Sequence, residues 1–255
     1  MTTSLDVMPH PFAWIPIPAG EVTLEAGGYL DKPATFTVSA FEIAKYPVTN
    51  AQYKLFLDAG GYAEKRWWTD AGWQSKLEGW IYEDDWRKTE KAWTQPRFWD
   101  DNQWNGADYP VIAVSWYEAV AFCNWLGETT GEKIMLPTEQ QWQHAAQGGD
   151  GRRYPWGNEW DKTRCNNSSL RLGKTTPVTQ FEGLGDSLHG VVDMCGNAWE
   201  WSRTSHKTGN NDLSGTDTRV LRGGSYLLSN NLYCTIRSGY NPNNDGLNGF
   251  RCIRI

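Results

Sequence analysis

Side chains able to do chemistry are present in this chain, but their spacing keeps them apart. Its five cysteines include no Cys-x2-Cys pair of the kind that grips a structural zinc. They are also too few to build a disulfide-framed secreted domain. The four histidines, His10, His144, His189 and His206, are scattered, so no triad of two histidines and a carboxylate is visible for iron. Asp84-Asp85 and Asp100-Asp101 are sequence neighbours whose carboxylates need not converge as an acid–base pair must. No Gly-x-Ser-x-Gly elbow, phosphate-cradling loop or dinucleotide fingerprint occurs. No catalytic residue is assigned.

Hydrogen-bonding side chains gather instead in one stretch. Between Ser225 and Asn248 runs YLLSNNLYCTIRSGYNPNNDGL, bounded by glycine and arginine corners. Asparagine is short, both donates and accepts, and tolerates turn geometry. The stretch therefore reads either as irregular loop or as a solvent-facing recognition surface, in which tyrosine adds contact area and asparagine adaptable hydrogen bonds. The candidate contact residues are Leu227, Leu228, Ser229, Asn230, Asn231, Tyr233, Tyr240, Asn241, Asn243, Asn244, Asp245 and Leu247.

The elements that must position this stretch belong to an aromatic scaffold. Aromatic residues make up 14% of the chain, 16 of them tryptophans, and mean hydropathy is −0.63. Such a composition describes a folded, soluble chain whose indoles are buried with their N–H groups paired. A net charge of −6 gives no footprint for nucleic acid. No apolar run approaches the ~18 residues of a membrane span. The N-terminus lacks a basic, signal-like start, so a cytoplasmic location is expected, with surface display by another route left open. A monomer is expected.

Short apolar runs over 12–48 alternate with glycine and proline, and Phe36, Val38 and Phe41 to Ile43 suit strands. Thr49 or Asn50 can cap a helix that Gly60-Gly61 stop, and Thr69 or Asp70 a short one reaching Lys76. Pro110 to Trp116 reads as a strand feeding a helix. Ser115 caps that helix, with Glu118 at the reciprocal position. Its face of Ala119, Phe122, Cys123 and Leu126 is core, which makes Cys123 a packing thiol. Thr138 with Gln141 starts the next helix, which Gly148-Gly149 end; His144 on it reads as structural. Residues of about 62–109 form a tryptophan-rich insertion better suited to anchoring than to stacking sugars. No linker or repeat marks a second domain.

Seven motifs now stand in order: FEIAKYPVTNAQYKLFL, YPVIAVSWYEAVAFCNWL, LPTEQQWQHAAQGG, RRYPWGNEW, GNAWEWS, RVLRGGSY and NGFRC. Together, over about residues 12–255, they resemble the formylglycine-generating enzyme (sulfatase-modifying factor) superfamily. The resemblance implies an α+β chain, a single-domain C-type lectin-like fold over 1–255 with two main helices, short strands and much irregular backbone. Three functional classes come with it. Copper oxidases make formylglycine, and iron-dependent sulfoxide synthases draw their metal histidines from a separate helical domain. The variable proteins of diversity-generating retroelements diversify a C-terminal segment so that one fold presents many binding surfaces.

In the oxidases, two copper-binding cysteines five residues apart lie between the Gly-Gly-Ser and Gly-Phe-Arg motifs. Here Tyr233 falls at the first position and Ser238 at the second, with Cys234 one residue off. A single thiol beside a hydroxyl does not reproduce the soft pair that holds Cu(I). The expectation is a non-catalytic ligand- or protein-binding module, most like the variable proteins, displaying about 226–248 to an unknown protein or small molecule. A copper or nonheme-iron oxidase with a displaced site around Cys234 is the alternative. No cofactor is required, but the resemblance implies a structural calcium held at Asp193, Gly196, Ala198 and Glu200, hard oxygen donors. A second site near Asn166 and Asn167 lacks its acidic loop. Without an ion, Glu200 pairs with an arginine. Arg222, Arg237 and Arg251 read as internal struts, the last two able to grip a buried carboxylate bidentately. The resemblance also brings Cys123 close to Cys252.

Overall fold

The computed structural model describes residues 2–84, 87–243 and 246–255. After a single turn, α1 (Ser4–Val7), come α2 (Asn50–Asp58), α3 (Asp70–Glu78), α4 (Trp116–Thr130) and α5 (Glu139–Gln147). Each of these four starts at a hydroxyl that accepts from a backbone N–H: Thr49 from Gln52, Thr69 from Gly72, Ser115 from Glu118 and Thr138 from Gln141. In α2, α4 and α5 the side chain at that third position returns a bond to the cap's own N–H. Two orphan donors are thereby satisfied within one turn. Four substantial helices thus stand at the four starts read from the sequence, where the family resemblance implied two main ones.

The strands are β1 (Trp14–Ile17), β2 (Gly20–Leu24), β3 (Ala34–Val38), β4 (Phe41–Ala44), β5 (Trp80–Asp84), β6 (Arg87–Lys91), β7 (Ile134–Met135), β8 (Trp199–Ser205), β9 (Arg219–Arg222), β10 (Arg237–Tyr240), β11 (Asn248–Gly249) and β12 (Ile253–Arg254). β2–β3 and β5–β6 are antiparallel pairs. One four-stranded sheet runs β1-β4-β12-β7, with Ile253 of the last strand opposite both Ile43 and Met135. The other runs β10-β9-β8-β11, its β11–β8 pair parallel. The strand expected over Pro110 to Trp116 does not form. Pro110 makes one bridge to Thr49, and Ala113 at φ 57° turns the backbone out of the extended region.

An aromatic cluster carries most of the packing. Tyr53 of α2 stacks on Phe122 of α4 at 5.5 Å, and Phe250 meets both edge-on at 6.3 and 5.3 Å. Trp67, Trp68 and Trp93 of the tryptophan-rich stretch are buried in the same cluster. Their burial fixes that stretch to the core, at roughly 1.5–3 kcal/mol for each large apolar side chain. Three of the buried indole N–H groups find backbone acceptors: Trp68 donates to Gly61 O, Trp116 to Ser202 O and Trp201 to Val114 O, at 2.8–2.9 Å. A second cluster joins Ile43 and Ile253 to Trp142 and Cys234. Among the described residues no helix is long and apolar enough to cross a membrane.

Candidate functional site

The candidate recognition segment is held from beneath by one arginine. Arg222 on β9 lies opposite Glu200 of β8 and Arg237 of β10. Its buried guanidinium donates to Thr235 O at 2.9 Å, Ile236 O at 2.8 Å and Cys234 O at 3.2 Å, and to the Gln143 side chain. Three successive carbonyls are thereby pinned. Burial draws the Arg222 guanidinium down to about 10, so it stays cationic at neutral pH. Glu139 balances it, 3.5 Å from Arg222 and 2.5 Å from Arg237. Arg237 also donates to Gly27 O at 2.5 Å, tying edge strand β10 to the β2–β3 hairpin. At Gly224, φ is 76° and a Cβ would sit 2.1 Å from the Leu232 side chain. Only glycine lets Leu232 enter the core there.

On this frame Leu227 is 61% exposed, and Ser229, Asn230, Asn231, Tyr240, Asn241 and Asn243 are exposed with it. Leu228, Tyr233 and Leu247 are half-buried. Leu232 and Cys234 are fully buried. Asn244 and Asp245 lie outside the described residues. The tryptophan-rich stretch meets the segment near both of its chain ends: Ser75 Oγ donates to Asn243 at 2.9 Å, and the Trp104 ring lies 6.0 Å from Tyr226.

An aromatic ledge adjoins the segment at Tyr233. The Arg153 guanidinium sits 4.2 Å over the Tyr233 ring, and Tyr154 lies 5.5 Å from it. Trp156 stacks on Tyr154 at 5.4 Å, with Trp160 beside it at 6.1 Å. These indoles line an open depression of about 640 Å³ together with Glu159, Asp161, Lys162 and Arg164. Sequence reasoning missed this ledge. Its signal lay in RRYPWGNEW, a motif read for family likeness and not for exposed aromatic faces.

The soft-metal chemistry of the oxidases has no counterpart at Tyr233 and Ser238. Cys234 turns inward, its Sγ 3.6 Å from Ala146 O, and burial pushes its thiol up to about 12. Among the described residues no three His, Cys, Asp or Glu side chains gather in a way that could hold a metal. The other four cysteines meet in two reduced pairs, Cys123 with Cys252 and Cys165 with Cys195, each with sulfurs 3.6 Å apart. The first proximity was expected. The second joins two loops that share no motif.

Of the positions expected to hold calcium, Glu200 is engaged elsewhere. Its carboxylate accepts from Arg251 Nη2 at 2.6 Å, Arg251 Nε at 2.7 Å and Trp142 Nε1 at 2.7 Å. Asp193, Gly196 and Ala198 belong to a tight loop. Gly196 has φ 79°, and a Cβ there would meet Asn166 O at 2.2 Å. Asp193 Oδ2 accepts from Asn197 at 2.8 Å, whereas Asp193 Oδ1 and Asn166 Oδ1 are buried without a partner. Burial raises the Asp193 carboxyl to about 7. Asp193 keeps a free oxygen for an ion; Glu200 would first have to release Arg251.

Comparison with known proteins extends these observations. Residues 8–255 match the family model described as the sulfatase-modifying factor enzyme 1-like domain. The chain is 33% identical to hercynine oxygenase of Mycobacterium tuberculosis, over 78% of this chain and 48% of that protein. It therefore spans about half of that relative's length. It is 31% identical to inactive C-alpha-formylglycine-generating enzyme 2 of Bos taurus (85% and 77% covered) and 30% identical to formylglycine-generating enzyme of Bos taurus (95% and 74% covered). Among solved structures, PvdO from Pseudomonas aeruginosa superposes with a TM-score of 0.69 at 20% identity, over 94% of this chain and 93% of that one. Treponema denticola variable protein 1 gives 0.65 at 19%, over 95% of each. The variable-protein likeness is thus one of several likenesses of fold.

Proposed function

The chain belongs to the sulfatase-modifying factor enzyme family, and from that membership we propose that it is a non-catalytic binding module on a C-type lectin-like scaffold. The recognition surface is the exposed part of residues 227–243, continued onto the ledge of Arg153, Trp156 and Trp160. One observation carries the reading. Where the family's copper oxidases place two cysteines, this chain has Tyr233 and Ser238, and the neighbouring Cys234 faces the core. The same segment holds its polar side chains outward over carbonyls pinned by Arg222. A relative matched over 77% of its length, the bovine paralogue, carries the word inactive in its name. Diversification of this segment by a retroelement is the finer form of the proposal. A reverse-transcriptase gene beside an imperfect copy of the last coding segment would support it.

The second reading is a metal-dependent oxidase, favoured by identity to hercynine oxygenase and formylglycine-generating enzyme. One assay separates the two. The chain, supplied with Cu(I) or Fe(II), a cysteine-containing peptide and a reducing thiol, consumes oxygen no faster than the metal alone if it is a binding module. Protein-dependent, saturable turnover overturns that proposal. A structural calcium ion at Asp193 is a separate proposal, resting on the unpartnered Oδ1. If it binds, calcium raises the unfolding temperature and Asp193→Asn abolishes the rise.

A further inference from the structure

Beyond the ledge, whose wall residues Lys162 and Arg164 flank Thr163, residues 163–176 and the turns at 177–184 enclose a second cleft, of about 630 Å³. Its walls are mainly carbon: Leu170, Leu172, Phe181, Leu184 and the Tyr109 ring. Leu172 and Leu184 stand 47% and 51% exposed at its rim, an unusual position for two large apolar side chains so close to one opening. Its single cation is Lys174, half-buried, with the ammonium 5.6 Å from the Tyr109 ring centre. Among the described residues Lys174 has no carboxylate partner.

The walls are fixed rather than collapsed. Asn166 Nδ2 donates to Lys174 O at 2.9 Å, and Arg164 Nη1 to Leu184 O at 2.7 Å. Val178 N donates to Asp108 O at 2.9 Å, anchoring the turns to the end of the tryptophan-rich stretch. A preformed apolar cleft with one charged group to fix orientation is the usual form of a small-molecule site. It is too local for a stable protein partner, which needs about 1,000 Å² or more of contact.

We propose that this cleft binds a small amphiphile, an apolar tail ending in an anionic head. The tail lies against Leu170, Leu172, Phe181 and Leu184, and the head meets the Lys174 ammonium. Tail burial supplies the bulk of the affinity, since apolar area removed from water is its main driving force. Lys174 supplies the choice of head group, because a charge-assisted hydrogen bond made beside carbon outweighs one in water. The proposal is independent of the recognition surface, so each can fail without the other.

The test is calorimetric titration of the full chain with decanoate, kept below micelle formation, against decanol and decyltrimethylammonium. One saturable decanoate site is expected, about tenfold tighter than for the other two, as one charge-assisted contact would give. Lys174→Met removes that preference and leaves decanol binding unchanged. Leu172→Asn with Leu184→Asn weakens decanoate and decanol alike. All three side chains reach solvent, so the variants fold, and thermal unfolding verifies it. The proposal is overturned by an absence of saturable decanoate binding, by equal affinity for the three head groups, or by indifference to the leucines. It is equally overturned if the chain dimerises through Leu172 and Leu184 while decanoate stays unbound.

Discussion

Arg251 clamps Glu200 through two hydrogen bonds of 2.6 and 2.7 Å, with both side chains sealed from solvent. The same guanidinium reaches Val192 O at 2.9 Å and Ala44 O and Lys45 O at 3.2 Å. One side chain from the Gly-Phe-Arg corner therefore joins the two four-stranded sheets and the loop before Asp193. Glu200→Gln keeps the shape and strands the buried charge, which costs about 3–5 kcal/mol when one partner of such a pair is removed. Urea unfolding measures it. A loss below about 1 kcal/mol would show that solvent reaches the pair.

Asp193 gives the protein a pH dependence of definite sign. Burial is the main cause that lifts its carboxyl from 3.8 to about 7, against the opposing Asn197 hydrogen bond and the Arg251 charge. Between those values the unfolded chain has lost the proton and the folded chain retains it. Stability contributed by this group therefore falls as pH rises from about 4 to about 7, by up to ~4 kcal/mol. Asp193→Asn should flatten that part of the curve in denaturant titrations run across the window. An unchanged slope in the variant would assign the dependence to other groups.

Local chemistry made much of this legible. A hydroxyl followed three residues later by Glu or Gln announces a helix start, and Ser115 and Thr138 each read correctly, while the choice left open between Thr49 and Asn50 falls to Thr49. The closeness of Cys123 to Cys252 followed from motif likeness, which carries long-range information that periodicity lacks; for Glu200 the sequence left Arg237 or Arg251 open as its partner, and the structure selects Arg251. The pairing of β12 was not legible. Its two residues hold no period, and its neighbours β4 and β7 lie more than a hundred residues away. The Lys174 cleft escaped for the same reason, since it is assembled from separate segments around Tyr109, 163–176 and 177–184, whereas the aromatic ledge lay in one readable motif, RRYPWGNEW, whose indoles were taken for family likeness alone.

The cysteines offer a direct chemical check on the non-oxidase reading. All five are buried, and burial raises the thiols of Cys123, Cys195 and Cys234. Thiolate, not thiol, attacks reagents and binds soft metals. The native chain at neutral pH should react with an aromatic disulfide reagent far more slowly than a free thiol does, and release five equivalents only after denaturation. One fast-reacting native thiol would place a metal-competent sulfur at the surface.

Display of a changeable surface makes a demand on stability that a plain loop does not. Leu227, Ser229, Asn230 and Asn231 face solvent, so replacing all four together with different polar side chains, Leu227 included, should shift stability by no more than about 1 kcal/mol. Leu232, one residue beyond, is fully buried against Cys165 and Cys195 beneath the Gly224 corner. Leu232→Ala should cost about 2–5 kcal/mol through lost burial and the cavity left behind. Thermal and urea unfolding of the two variants measures the contrast. If the fourfold change destabilises as much as Leu232→Ala, the exposed residues are structural, and the segment is not free to vary for recognition.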